Sequence, residues 1–210
     1  MRCRPRRRFG YDWDGITERL RERARWLTRP SLAEAMELSQ LLHGDTTASS
    51  LLLEWPELYQ FMRFRIDSVT DFFREAHAAV HRANPRAELR LNHYERFPEL
   101  LGLDLKRLVP HIDSVRNSDY TEQLGRLDRM EEKRQRLIRT RRGIGEGMKL
   151  ISAIGSRPKA TPELVRLGVR IAAETGCDGL SIGHYEGTTF ECLDAIGDGI
   201  REAGVTVAAP

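Results

Sequence analysis

The chain has 210 residues, 40% of them hydrophobic and 31% charged, with a formal net charge of +3. That balance fits one domain with a substantial core. The longest apolar stretches run to four or five residues, far short of the roughly 20 that span a bilayer, so no membrane partner is expected. No charged, then apolar, then small-residue pattern opens the chain, and no secretory leader is expected. Cys3, Cys177 and Cys192 are too few and too scattered for a disulfide framework or a structural zinc site. A cytoplasmic setting follows as the expectation.

Residues 1–13 form a basic arm, with five arginines in the first eight positions. No aromatic interleaving, recognition helix or second basic stripe accompanies it, so nucleic acid is not an expected partner. Residues 14–83 read as a helical lead-in. Ile16, Leu20, Ala24 and Leu27 fall at steps of three or four, and Pro30 breaks the run. "SLAEAMELSQLL" restarts a helix with Ser31 as N-cap. The longest helix is expected over 56–83, with Pro56 in its first turn. Its mostly apolar stripe runs through Leu58, Met62, Arg65, Val69, Phe72, Ala76 and Val80. Phe61, Met62, Phe64, Phe72 and Phe73 are assigned to the core.

From residue 87 to 204 the rhythm changes to strand and helix. Strands are expected over 87–94, 111–120, 148–158 and 177–187. Helices are expected near 99–109 and 121–142, then over "TPELVRLGVRIAAETG" with Thr161 as cap and Gly176 as stop, then over "FECLDAIGDGIREAG". "GIGEG", 143–147, precedes a strand, so it reads as a helix-to-strand turn and not as a phosphate loop. Four βα units in succession specify an α/β fold with a parallel sheet. Alternation turns Leu89 and Leu91 toward the helices and Arg90, Asn92 and Tyr94 to the other face. In the last strand Leu180 and Ile182 face the helices and Ser181, Gly183 and Tyr185 face away. Polar groups on the inner face near strand tips favour a TIM-type (β/α)8 barrel over a doubly wound sheet. A full barrel takes about 250 residues and eight strands. The expectation is therefore a single partial barrel domain over 1–210, carrying strands five to eight. Its open edges would be closed by a missing amino-terminal half or by a second copy.

"WPELYQFMRFRIDSVTDFFREAHAAVHRANPRAELRLN", "IDSVRNSDYTEQ" and "SRPKATPELVRLGVRIAAETGCDGLSIGHYEG" resemble the carboxyl-terminal half of glycoside-hydrolase-like (β/α)8 barrels, the bacterial glycosyl hydrolase or α-amylase-like family proteins. The resemblance covers roughly residues 9–203. It implies a carbohydrate substrate and carboxylate acid–base chemistry without an organic cofactor. In many retaining members of such families the acid follows strand four and the nucleophile sits at the tip of strand seven. Strand four is absent here and "ISAIGSRP" carries no carboxylate, so that pair is not transferred.

The acidic residues at expected strand tips are Glu95, Asp119, Glu122 and Glu186. Glycoside hydrolysis needs two carboxyl groups flanking the bond. Asp119, beside Arg116, and Glu186, beside Tyr185, are the expected catalytic pair. Asn92, His93, Tyr94, Glu95, Arg116, Arg157, His184 and Tyr185 are the expected substrate-binding set. Ring faces would stack on sugars, and amide and guanidinium groups would take hydroxyls. Against this stands a structural reading in which Arg90 or Arg116 satisfies Asp113 and serine hydroxyls within the barrel. The tripeptide His-Tyr-Glu occurs at 93–95 and 184–186. Its spacing carries no recognised metal motif, and neither a metal nor a cofactor is expected. Two other functions stay open: a non-catalytic carbohydrate-binding or structural barrel fragment, and a metal-assisted hydrolase or lyase built on the two His-Tyr-Glu tips.

Overall fold

The computed structural model describes residues 12–27, 56–94, 98–157, 159–183 and 186–204. Residues 1–11 of the basic arm, the expected helix from Ser31, and the site candidates Glu95, His184 and Tyr185 lie outside the described residues. The chain divides into two compact units, one of Met1–Asp71 with Glu99–Leu103, the other of Phe72–Pro98 with Asp104–Pro210.

In the first unit lie α1 (Trp13–Leu27) and the first part of α2 (Pro56–Ala83). Arg19 Nη1 donates to Glu57 Oε1 at 3.0 Å, tying the two helices. Gly102 adopts φ 86 against the Arg65 backbone, where a side chain would be both strained and crowded. The buried line of α2 passes through Ile66 and Thr70, one position round from the expected stripe, and leaves Phe72 65% exposed. Phe72 is therefore not core. Its ring meets Phe73 edge-on instead, with centroids 5.6 Å apart.

The second unit carries the sheet. Strands β1 (Arg90–His93), β2 (Ser114–Asn117), β3 (Lys149–Gly155) and β4 (Gly179–Gly183) are all parallel, in the spatial order β1-β2-β3-β4. All four expected strands form, each shorter than expected at both ends. Between them come α3 (Leu105–Leu108), α4 (Met130–Ile144) and α5 (Pro162–Glu174), with α6 (Phe190–Glu202) last. The caps follow local chemistry. Thr161 accepts from Leu164 N–H and Thr189 from Cys192 N–H, and Gly176 at φ 72 closes α5. Two expected helices are broken up. The segment from 98 to 111 is 3-10 turn, α3 and 3-10 turn, interrupted by Gly102. The segment before α4 is two 3-10 turns, Thr121–Leu124 and Leu127–Arg129, parted by Gly125 at φ 66.

Register assigns the two faces of the sheet. Leu91, Val115, Leu150, Ile154, Leu180 and Ile182 share one face, and Arg90, Asn92, Arg116, Ala153 and Ser181 share the other. On the first face Ile154 packs with Val165 and Val169 of α5 and with Cys192 and Ile196 of α6. A second cluster joins Met130 and Leu137 of α4 to Leu164 and Ile171 of α5. The alternation read from sequence is thus the alternation found. A doubly wound sheet reverses its strand order at a switch point; among the described residues this order never reverses.

One polar interaction crosses these layers. Lys133 of α4 and Glu122 of the first 3-10 turn are both fully buried and form an ion pair. The ammonium also donates to the backbone oxygens of Ala153 (2.7 Å) and Asp119 (3.1 Å), so its three donors are all used. The other Glu122 oxygen accepts the Gly155 N–H at 3.0 Å. Gly168 of α5 leaves the room the carboxylate occupies; a methyl group there would collide with it. Burial pushes the Glu122 carboxyl above its ordinary value, and Lys133 pulls against that shift. Removing one partner of such a pair costs about 3–5 kcal/mol, whereas removing both charges is far less costly. Lys133→Met is expected to lose stability in that range by urea denaturation, and Lys133→Met/Glu122→Gln to regain about half or more. The Lys133→Met deficit should grow as pH rises. In the variant no ammonium opposes burial, so the folded carboxyl holds its proton to higher pH than the unfolded chain does, and stability is lost as pH rises past the ordinary carboxylate range. Additive single and double variants would contradict the pairing.

Candidate functional site

A cleft of about 440 Å³ opens at the carboxyl ends of β1 and β2, lined by Tyr94, Ser118, Asp119, Tyr120, Thr121, Leu124 and Arg136. Its size is that of a small-ligand site. Parallel strands place it, since every βα turn leaves from the same end of the sheet. Tyr94 follows β1, residues 118–121 follow β2, and Arg136 reaches in from α4.

Asp119 is buried and held from both sides. One oxygen accepts from the Thr121 N–H (2.9 Å) and the Thr121 hydroxyl (2.5 Å), and the other accepts from Arg136 Nη1 (2.5 Å). The expected partner, Arg116, is not the one that holds it. Arg136 itself leans on Glu132 at 3.4 Å, within one helical step of four. Asn117 Oδ1 accepts the Asp119 N–H, and Asn117 Nδ2 donates to Thr140. With two hydroxyl or amide donors on one oxygen and a guanidinium on the other, this carboxylate is a fixed acceptor and counter-charge. Nucleophilic attack would require those bonds to be given up.

Arg116 spans the sheet face. Its Nε donates to Ser181 of β4 (2.6 Å), Nη1 to Ser118 (2.9 Å) and Nη2 to the Tyr120 hydroxyl (2.6 Å), with its guanidinium 5.7 Å from the Tyr120 ring centre. The internal clamp is what forms, although its acceptors are serines and a tyrosine. Arg90 donates to Ser114. Asp113, the acceptor the sequence offered for either arginine, instead takes the Leu89 N–H and two imidazoles. Arg116 thus sits behind the cleft and positions two of its lining residues.

The other candidates divide. Tyr94 lines the cleft with 64% of its surface exposed. Asn92 is exposed on the Arg116 face of β1. His93 is turned to the helix side, 3% exposed, with Nε2 3.3 Å from the Thr140 hydroxyl of α4, so it is packed away from the cleft lining. Arg157 and Glu186 are exposed on the turns after β3 and β4 and are not among the lining residues. The carboxylate pair Asp119 and Glu186 is therefore not brought together in this cleft. Ser118, Tyr120, Thr121, Leu124 and Arg136 were missed from the sequence. Arg136 had a signal: with Glu132 and Thr140 it marks the α4 face that continues past Asp119. Lys133 had a stronger one, since it occupies a core position in the stripe Met130, Leu137, Ile144.

Gly183 makes room for the Tyr120 ring; a methyl group at that position would overlap ring atoms. Gly183→Ala is expected to displace Tyr120 from Arg116 and to cost about 1–3 kcal/mol by overpacking. The readouts are a urea melt and the ring resonances of Tyr120, and unchanged values of both would contradict the arrangement.

No protein-family model matches this chain, and neither a curated protein nor a solved structure matches it.

Proposed function

We propose that the chain is a partial (β/α)8 barrel whose carboxyl-end cleft binds a carbohydrate or a related polyol. The observation that carries the reading is the joint lining of one cleft by the exposed Tyr94 ring and the fixed Asp119–Arg136 pair. An aromatic face takes the apolar side of a sugar ring, and a carboxylate, a guanidinium and the Ser118 and Thr121 hydroxyls match its hydroxyl groups. Pre-organisation by Arg116 and Thr121 lowers the ordering cost of binding. The barrel part of the reading is supported by the unreversed strand order, by α5 and α6 sharing one face, and by exposed Ile182, Phe190 and Leu193 on the β4 side. Further βα units, from an amino-terminal half or a second copy, would cover them.

Binding is favoured over glycosidic hydrolysis by this chain alone. Hydrolysis needs a second carboxyl group across the bond, and Asp119 is the acidic residue among the lining residues. In a completed barrel the opposite half would supply that second group, which keeps a glycoside hydrolase as the activity of the whole assembly.

The test is a panel of mono- and disaccharides followed by two-dimensional NMR of the chain. Binding at about 1 mM or tighter is expected, with shifts centred on Tyr94, residues 118–121 and Arg136. Tyr94→Ala should weaken binding about tenfold while leaving the thermal melt unchanged. No bound saccharide, or binding indifferent to Tyr94, would sink the proposal.

A further inference from the structure

His77 and His81 stand one helical turn apart on α2, in "HAAVH", with ring centres 4.2 Å apart. Both present Nε2 to the same carboxylate. His77 Nε2 is 3.5 Å from Asp113 Oδ1 and His81 Nε2 is 3.1 Å from Asp113 Oδ2. The three ligand atoms all lie within 4.8 Å of one another, and all three residues are half-buried. They belong to the same compact unit. The cluster lies just before β2, at the amino end of the strands, so it is separate from the cleft.

From these positions we infer that His77, His81 and Asp113 form a site for a divalent transition metal ion such as Zn²⁺. Two imidazoles and one carboxylate are a common borderline-soft donor set, and an i, i+4 pair on a helix presents both rings to one point. Metal–ligand bonds of about 2.0–2.1 Å at tetrahedral angles place neighbouring donors about 3.3 Å apart. The His81 Nε2–Oδ2 separation of 3.1 Å and the His77 Nε2–Oδ1 separation of 3.5 Å lie near that distance, each imidazole facing a different oxygen of the Asp113 carboxylate. The carboxylate is also oriented from behind, since Asp113 Oδ2 accepts the Leu89 N–H at 2.7 Å. Second-shell bonds of this kind fix ligands in metal sites. A metal here would tie the last turns of α2 to the start of the sheet and leave a fourth position for water or another donor.

Zinc titration of the chain, without a polyhistidine tag, is the test. Isothermal titration should give one high-affinity Zn²⁺ per chain, and the melting temperature should rise with zinc and fall back with chelator. His77→Ala, His81→Ala and Asp113→Asn should each weaken binding about tenfold or more. Asp113→Asn keeps an acceptor for Leu89, so its fold is preserved. The unsubstituted chain supplies a second readout: zinc should move the imidazole resonances of His77 and His81 first. No binding up to about 1 mM zinc, binding that the histidine substitutions leave unchanged, or shifts centred on other histidines would each overturn the site.

Discussion

The buried Lys133–Glu122 pair is the constraint on which the rest of this sheet end depends. An ammonium with no solvent must satisfy three donors inside the protein, and here they reach a side chain and the backbone of two separate segments. Ala153 lies in β3 and Asp119 in the turn after β2, while Lys133 itself is in α4. Glu122 closes the circuit on Gly155 at the tip of β3. A solvated loop after β2 would have many conformations. This one has its backbone fixed at two points, and a glycine in α5 is needed to accommodate it.

The cleft inherits that order. Once Asp119 O is held by Lys133, the Asp119 side chain is within reach of Thr121 and Arg136, and the turn that carries Tyr120 lies over Gly155 and Gly183. Arg116 then locks Tyr120 and Ser118 to β4. The hydroxyls and charges facing the cleft are therefore consequences of a buried polar network. Such networks are costly when half satisfied and rigid when complete. The completed network therefore makes the lining of this cleft rigid.

Much of this was legible in the sequence. The four βα units, the Thr161 cap, the Gly176 stop and the alternation of Leu91 against Arg90 and Asn92 follow from period-2 patterning and local turn chemistry, both of which are set by near neighbours. Strand and helix limits around residues 98–130 were less so, because Gly102 and Gly125 act through contacts with Arg65 and Lys159 that are distant in sequence. The site was half legible. Tyr94 and Asp119 were read from strand ends, but the choice of Arg136 over Arg116 as partner depends on where α4 docks. His93 follows Leu91 in the alternation, so its helix-side burial was implied by the same pattern that placed Tyr94. The pair "HAAVH" was visible, whereas its meeting with Asp113 is tertiary.

Native-state hydrogen exchange at the Gly155 amide tests the central claim most directly. If Glu122, anchored by Lys133, holds that N–H, it should exchange only through global unfolding, as slowly as amides in the middle of β3. Exchange at the rate of an exposed turn, such as Gly187 after β4, would contradict the network and the cleft built on it.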